Sequence, residues 1–376
     1  MRVLQLGKYY YPYMGGIETH LYDLCSRLSR SDQVEAVVCH TEPRTIRENV
    51  AGVRVVRVAS VGRAASMEIC PTLPWVLSQK VYDLLHLHTP NPMGMMAYLL
   101  SRKPAHHALV VTHHSDIVRQ AALRQALGPI FRRVMSRADA IIASSERYLE
   151  TSEELRPYRP KCVVIPYGID TTGRPISPAK VAELRARYGS RVVLGVGRLT
   201  YYKGFEVLLD AMAAVEGNLV VIGDGPLRQP LARKCQELGI ADRVAFVGAV
   251  HNHEIPSYYA AADVFAFPSI ARSEAFGIVQ LEAMLAGLPV VNTFIDSGVP
   301  SVSIDRETGI TVPPGEASPL AGALNELLAS PELRRRYGEA GTRRVMDHFG
   351  ADGMVRRVSE LYRQVRHRDR GLQQAA

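Results

Sequence analysis

The sequence of 376 residues has few of the features that assign a chain at a glance. Its five cysteines, Cys25, Cys39, Cys70, Cys162 and Cys235, lie far apart with no C-x-x-C pair, which argues against a disulfide framework or a thiolate zinc site. They read as buried small hydrophobes. No stretch approaches the roughly 20 uncharged apolar residues that a membrane-spanning helix requires. Met1-Arg2-Val3-Leu4-Gln5-Leu6 reads as a strand, not as the apolar core of a signal peptide, so a cytoplasmic location is expected. Glycine and proline are scattered rather than clustered, and apolar residues make up 47% against 22% charged, which excludes a disordered, collagen-like or low-complexity chain. Neither H-E-x-x-H nor a full G-x-G-x-x-G occurs, so neither motif names a metallohydrolase or a dinucleotide enzyme. What remains is length enough for two domains of roughly 150–200 residues. The formal charge of +8 points to an anionic partner: a nucleotide, a phospholipid surface or a nucleic acid.

Short β-rich runs alternate with helical patterns, the signature of parallel sheets built from βαβ units, and the pattern occurs twice. Strands are predicted over 3–6, 34–39, 53–59, 81–87, 108–112, 140–144 and 162–166, then over 192–196, 219–222, 244–247, 264–267, 289–292 and 309–312. Between the two sets, Pro166-Tyr167-Gly168-Ile169-Asp170 and the turn-rich residues 171–175 lose periodicity and mark a linker. The domains are therefore expected at 1–170 and 171–350. A last periodic segment, 351–376, either caps the second domain or crosses back to the first.

Ile17, Leu21, Leu24 and Leu28 recur at helical spacing, which puts Gly15-Gly16 at a helix N-terminus where backbone N–H groups favour an anion such as a diphosphate. A plain strand-to-helix turn would use the same glycines. Gly223-Asp224-Gly225-Pro226 is a second tight turn at a strand end. Gly197-Arg198-Leu199-Thr200-Tyr201-Tyr202-Lys203-Gly204 sets two cations at the carboxyl edge of the second sheet, able to clamp a diphosphate or simply to be solvated. In Ser273-Glu274-Ala275-Phe276-Gly277-Ile278, running on to Glu282 and Gly287, a loop enters a helix whose buried stripe is expected at Ile278, Leu281 and Leu285. Glu274 and Glu282 would be about 12 Å apart if the interval were wholly helical, too far for a hydrolytic carboxylate pair at roughly 5–9.5 Å, but suited to holding two ends of an extended ligand. His86 and His88 share one face of a strand, and Thr112-His113-His114-Ser115-Asp116 follows the next. Together they offer atoms that zinc or iron could use, yet without a metallohydrolase spacing no metal is expected.

These segments, in this order across both halves, resemble the retaining glycosyltransferases of the GT-B class usually grouped as family 4. The resemblance implies an α/β protein of two Rossmann-like domains facing across a cleft, the first binding the acceptor and the second a nucleotide-sugar, with the final helix crossing back. It implies Arg198 and Lys203 as the donor diphosphate clamp, Gly16 behind the phosphates, and Glu274 on the donor sugar hydroxyls. Glu282 would take the ribose, the amides of Phe276 and Gly277 the sugar and phosphate, and Val247 with Phe246 the base. His114 matches the family histidine near the reacting centre, with His113 beside it as the competing assignment. The implied reaction proceeds with retention through an oxocarbenium-like state, with no metal and no cofactor.

The acceptor side is a basic amphipathic stretch, 117–138, with Arg119, Arg124, Arg132, Arg133 and Arg137 interleaved with Leu123, Leu127, Ile130, Phe131 and Met135. It suits either an anionic membrane beside a lipid-linked acceptor or an ordinary surface helix. Residues 67–80, with Ile69, Leu73, Trp75, Val76 and Leu77, are a second candidate, and Tyr9, Tyr10, Tyr11 and Tyr13 are placed to stack on a sugar. The reading is a hexosyltransferase using GDP-mannose or GDP-rhamnose on a glycan or lipid-linked acceptor in cell-surface polysaccharide synthesis. It would be cytoplasmic or peripheral at the inner face of the membrane, with no nucleic-acid partner. A UDP-sugar donor or an epimerase of the same architecture is the alternative.

Overall fold

The structure, a computed structural model, describes residues 1–13, 15–64, 67–116, 121–173 and 175–374, without the side chains of 121–124, 126 and 368–374. The chain divides into two compact units, Met1–Gly168 with the segment from Ala351 onward, and Ile169–Gly350.

The strands in chain order are β1 (Arg2–Leu6), β2 (Gln33–Cys39), β3 (Ile46–Val50), β4 (Val53–Val58), β5 (Arg63–Ala64), β6 (Met67–Glu68), β7 (Leu84–Thr89), β8 (Ala108–His113), β9 (Ala140–Ala143) and β10 (Cys162–Val164) in the first unit. The second holds β11 (Val192–Val196), β12 (Asn218–Ile222), β13 (Val244–Gly248), β14 (Val264–Phe267), β15 (Val290–Thr293) and β16 (Gly309–Val312). The first sheet runs β10-β9-β8-β7-β1-β2-β4-β3 and is parallel except at its β3 edge. The second runs β13-β12-β11-β14-β15-β16 and is parallel throughout. Each is a Rossmann-like sheet whose order reverses once, between β1 and β7 and between β11 and β14. Ligands of such sheets bind at the carboxyl ends beside that reversal.

Strand β3 was not predicted, because Ile-Arg-Glu-Asn-Val carries its polar centre outward on an exposed antiparallel edge and has no buried run to betray it. The strand expected over 81–87 begins later. Val81 is exposed, and Asp83 accepts hydrogen bonds from the Arg2 amide at 2.8 Å and its guanidinium at 2.8 Å, so the ladder starts at Leu84. In the helix Gly16–Leu28 the expected stripe is displaced: Leu21, Leu24 and Leu28 are buried, but Ile17 is only half-buried, while Glu18 and His20 turn inward. In the helix Ile278–Leu285 the buried face is Gln280, Leu281, Ala283 and Met284, with Ile278 and Leu285 half-buried. The cysteines are free, and all but Cys162 are buried.

The last helix, Ala351–Gln374, packs on the helix Gly16–Leu28 and against β8. Met354, Val358, Leu361, Tyr362 and Val365 join the same buried cluster as Val3, Leu21 and Val110. At about 1.5–3 kcal/mol for each fully buried large apolar side chain, this helix is part of the first unit's core and not an appendage.

Candidate active site

In the second unit, four strands deliver the site from their carboxyl ends. The loop leaving β11 carries Arg198, exposed and in no ion pair among the described residues, and Lys203, which is largely covered. Lys203 Nζ lies 2.5 Å from Glu274 Oε2 and 5.0 Å from the centre of the Phe267 ring. Those contacts hold the ammonium against the protein instead of letting it swing in solvent. Gly204 takes a left-handed φ of 71°, and a side chain there would strike the Pro268 carbonyl, so the Lys203 turn can close only on glycine.

The loop after β12 holds this first loop by its backbone. Leu199 N donates to the Asp224 carbonyl at 3.0 Å and Leu227 N to the Leu199 carbonyl at 3.2 Å, while any Cβ on Gly223 or Gly225 would collide with the Gly197 or Leu199 main chain. Gly223-Asp224-Gly225-Pro226 therefore shapes the Arg198 loop. Val247, half-buried, stands near the end of β13, the open edge of the sheet.

Beyond β14, Glu274 sits in a loop and the helix begins only at Ile278, so the interval to Glu282 is half helix. Phe276 is buried, its ring meeting Phe349 edge-on at 6.0 Å, and Gly277 opens the helix at φ 80° where a side chain would enter the Phe267 ring. Gln280, fully buried, ties the turn down: its amide nitrogen donates to the Phe276 carbonyl at 3.1 Å and its oxygen accepts from Asn292 at 2.9 Å. Glu282 accepts a hydrogen bond at 3.0 Å from the Tyr259 hydroxyl, a partner no sequence spacing could have supplied. Arg198, Lys203, Val247, Glu274, Phe276 and Gly277 thus belong to loops and strand ends at the carboxyl edge of one sheet, and Glu282 to the helix that the last of these loops enters.

In the first unit, Gly16 is exposed with nothing within 4 Å of where its Cβ would stand, whereas a side chain on Gly15 would meet the Glu18 carboxylate. Gly15 is extended and the atom its Cβ would meet is the movable end of the Glu18 side chain, so local geometry demands glycine at neither position. Of the four tyrosines, Tyr9 and Tyr10 are buried, which removes them as sugar platforms; Tyr11 and Tyr13 are exposed. Tyr13 stacks on Tyr9 at 4.1 Å, and Tyr9 is anchored by donating to Glu68 at 2.8 Å.

The two adjacent histidines part company at the end of β8. His113 turns into the core, its Nδ1 2.9 Å from Thr89 Oγ1 and its Nε2 3.3 Å from Asp116 and 3.4 Å from Glu154. Burial would lower its pKa, but the hydrogen bonds and charges of Asp116 and Glu154 prevail and raise it. His114 faces the other way, 2.6 Å from the Tyr167 hydroxyl and 2.9 Å from His88, so both its ring nitrogens are taken. Burial holds His114 and His88 far below the usual imidazole range and brings His20 to about 4 and His86 to about 3, so all four are neutral at pH 7.

Among the described residues, two groups have ligand atoms close enough for a metal ion: His20, His88 and His114, and His113, Asp116 and Glu154. Within each, ring nitrogens are already paired with neighbouring members, His88 with His114 and His113 with its carboxylates.

The basic stretch gives the helix Ala121–Arg137, preceded by 117–120; Arg119 and the side chains of Leu123 and Arg124 lie outside the described residues. Arg132, Arg133 and Arg137 are exposed, but Leu127 and Met135 are buried and Ile130 and Phe131 pack against the core, so the apolar face is spent internally. Likewise Leu73, Val76 and Leu77 are buried, leaving Ile69 and Trp75 outside. No helix among the described residues is long and apolar enough to cross a membrane.

Two family models match, "Glycosyltransferase Family 4" over residues 14–172 and "Glycosyl transferases group 1" over residues 177–344. The chain is 32% identical over 374 residues to the O-antigen chain mannosyltransferase C of Escherichia coli, covering 96% of this chain and 98% of that protein. It is 27% identical over 370 residues to a GDP-mannose-dependent alpha-(1-6)-phosphatidylinositol monomannoside mannosyltransferase of Mycolicibacterium smegmatis, covering 93% and 95%. Among solved structures it resembles a sucrose-phosphate synthase from Thermosynechococcus elongatus with a TM-score of 0.82 at 25% identity, covering 97% and 98%.

Proposed function

The chain belongs to the family 4 glycosyltransferases, and from that premise we propose that it moves a mannosyl group from GDP-mannose, with retention and without a metal ion, to a glycan or lipid-linked acceptor of cell-surface polysaccharide synthesis. The observation that carries this reading is the Lys203–Glu274 pair at the carboxyl edge beside the order reversal of the second sheet, with the exposed Arg198 on the same loop. Two full-length relatives are mannosyltransferases by name, one of them named for GDP-mannose. GDP-rhamnose, whose sugar is mannose without its 6-hydroxyl, is the alternative donor.

The chemistry follows from the residues. The donor diphosphate takes the charge of Arg198 and draws Lys203 Nζ from Glu274. The freed carboxylate then accepts sugar hydroxyls at the other end of the bond to be broken. As the C1–oxygen bond to phosphate lengthens, negative charge grows on the leaving diphosphate, and the guanidinium and ammonium that donor binding has already brought to it stabilise that charge. The acceptor oxygen forms its bond to C1 on the face the phosphate leaves, and its proton passes to the departing phosphate oxygen. Glu282 holds the ribose, Val247 and the main chain beside it the base, and Gly16 admits the phosphates closely. With both ring nitrogens engaged, His114 offers the donor only its ring edge and main-chain carbonyl.

Binding of donor is tested by thermal unfolding with GDP-mannose, GDP-rhamnose, UDP-glucose and free nucleotides, since a ligand of the native state raises the midpoint. The expected result is a shift with GDP and its sugars that is lost in Lys203→Ala. A shift with UDP compounds alone overturns the donor assignment.

Peripheral attachment at the inner face of the membrane is the second part of the proposal. It rests on the exposed Arg132, Arg133 and Arg137 of one helix and on the exposed Trp75 and Ile69 of the same unit. At about 1 kcal/mol per basic residue near an anionic surface, these arginines give reversible, salt-sensitive binding. Sedimentation with anionic vesicles should fall as salt rises and in Arg132→Ser/Arg133→Ser/Arg137→Ser. Equal binding to neutral vesicles contradicts it.

A further inference from the structure

Seven side chains buried in the first unit form an unbroken run of hydrogen bonds through the sheet. Tyr167 Oη meets His114 Nδ1 at 2.6 Å, His114 Nε2 meets His88 Nδ1 at 2.9 Å, and His88 Nε2 meets Gln5 Oε1 at 2.9 Å. Gln5 Nε2 then meets Tyr362 Oη at 3.0 Å, Tyr362 Oη meets His86 Nδ1 at 2.6 Å, and His86 Nε2 meets Thr112 Oγ1 at 2.7 Å. Tyr362 enters from the last helix, 195 or more residues from the others in sequence, and no member exceeds 5% exposure. His20 stands alongside, its ring 5.4 Å from His114 and 4.5 Å from Tyr167.

Each imidazole in the run is neutral and therefore has one N–H and one lone pair. If Gln5 Oε1 accepts, His88 carries its proton on Nε2 and its Nδ1 accepts, so His114 must carry its proton on Nε2 and accept from Tyr167 on Nδ1. On the other side the Gln5 amide donates to Tyr362, which is then free to give its own proton to His86 Nδ1, and His86 Nε2–H donates to Thr112. Every donor meets an acceptor, all pointing one way. A proton added on His88 Nδ1 would set two N–H groups face to face, and one added on His114 Nδ1 would force the Tyr167 hydroxyl to turn from donor to acceptor.

We propose that this one-way chain is a positioning device for the transfer reaction: Gln5, His88 and Tyr362 lock His114 in one tautomer and one orientation, so the last helix is tied directly to the residue assigned to the reacting centre. The proposal rests on the reading of His114 as a residue of the donor site. The lock holds the main-chain turn from β8 in register, and a displacement there of about an ångström is enough to cost on the order of a hundredfold in rate.

The test reads the chain by itself and then its consequence. In the full-length protein, nitrogen-15 NMR of the imidazoles should show His86, His88 and His114 as neutral Nε2–H tautomers, unchanged between pH 6 and 8. Gln5→Glu is nearly isosteric but replaces the amide donor by an acceptor. Tyr362 must then turn its proton toward the new carboxylate, and His86, deprived of a donor, should switch to Nδ1–H while His88 stays Nε2–H. Tyr362→Phe should lower kcat by about ten- to a hundredfold with the donor KM within about twofold of the parent and nucleotide binding intact. Nδ1–H tautomers for His88 and His114, titration of either between pH 6 and 8, or parental kcat in a folded Tyr362→Phe protein overturns the proposal. The tautomer measurement needs no substrate, so a wrong donor assignment leaves it readable.

Discussion

At the scale of single residues the account turns on charges that face the same place. Lys203 and Glu274 are each only slightly exposed, and removing one leaves the other uncompensated at the mouth of the site. Lys203→Ala is expected to lower kcat/KM by about 10²–10³, the usual loss for one stabiliser of developing charge, and Glu274→Gln by a similar amount with the fold retained. Steady-state kinetics on protein with a parental circular dichroism spectrum checks both, and near-parental turnover in either removes the assignment. Glu282 differs in kind. A ribose contact exists equally in ground and transition states, so Glu282→Ala should raise the donor KM and leave kcat nearly unchanged. A fall in kcat at constant KM would contradict its role.

At the scale of elements, burial between the first sheet and its helices decides what titrates. His20, His86, His88 and His114 refuse protons in the folded state that the unfolded chain takes up below about pH 6.5. Their lowered values mean stability is complete above that pH and is lost as pH falls toward about 4, at about 1.4 kcal/mol per pH unit for each proton withheld. His113 has a raised pKa and the opposite sign, contributing below about 6.5 and losing that contribution as pH climbs past its folded value. The four outweigh the one. Thermal midpoints measured from pH 7.5 to 4.5 should therefore fall steeply below 6.5, and a flat profile would contradict the buried neutral cluster. Much of this element was legible beforehand: the alternation of His86 and His88 on one face, and the strand-end position of His113 and His114, follow from the period of two. What joins them was not, because Gln5 and Tyr362 reach the histidines only through the order of strands and the docking of the last helix. Nor could spacing tell that Leu127 and Met135 pack inward, since an amphipathic helix has the same pattern whether its apolar face meets lipid or its own core.

At the scale of the whole molecule, two parallel sheets each present their carboxyl ends, and residues far apart in sequence converge there because strand order, not chain order, sets who is neighbour to whom. The loops after β11, β12 and β14, the end of β13 and the helix Ile278–Leu285 carry residues 198 to 282 from the carboxyl edge of one sheet. The strand pattern revealed the two sheets, since buried parallel strands read as continuous apolar runs, while the exposed antiparallel edge β3 escaped because it has none.

The central claim, retaining mannosyl transfer from GDP-mannose driven by protein charges, is tested most directly by one reaction. Purified protein is incubated with GDP-mannose and a mannose-terminated oligosaccharide acceptor in excess EDTA, with the product's anomeric configuration read by NMR. The account predicts α-linked mannose, as in the α-linked donor, at a rate unaffected by EDTA and abolished in Lys203→Ala. A β-linked product, or activity that vanishes in EDTA and returns with a divalent ion, would contradict it.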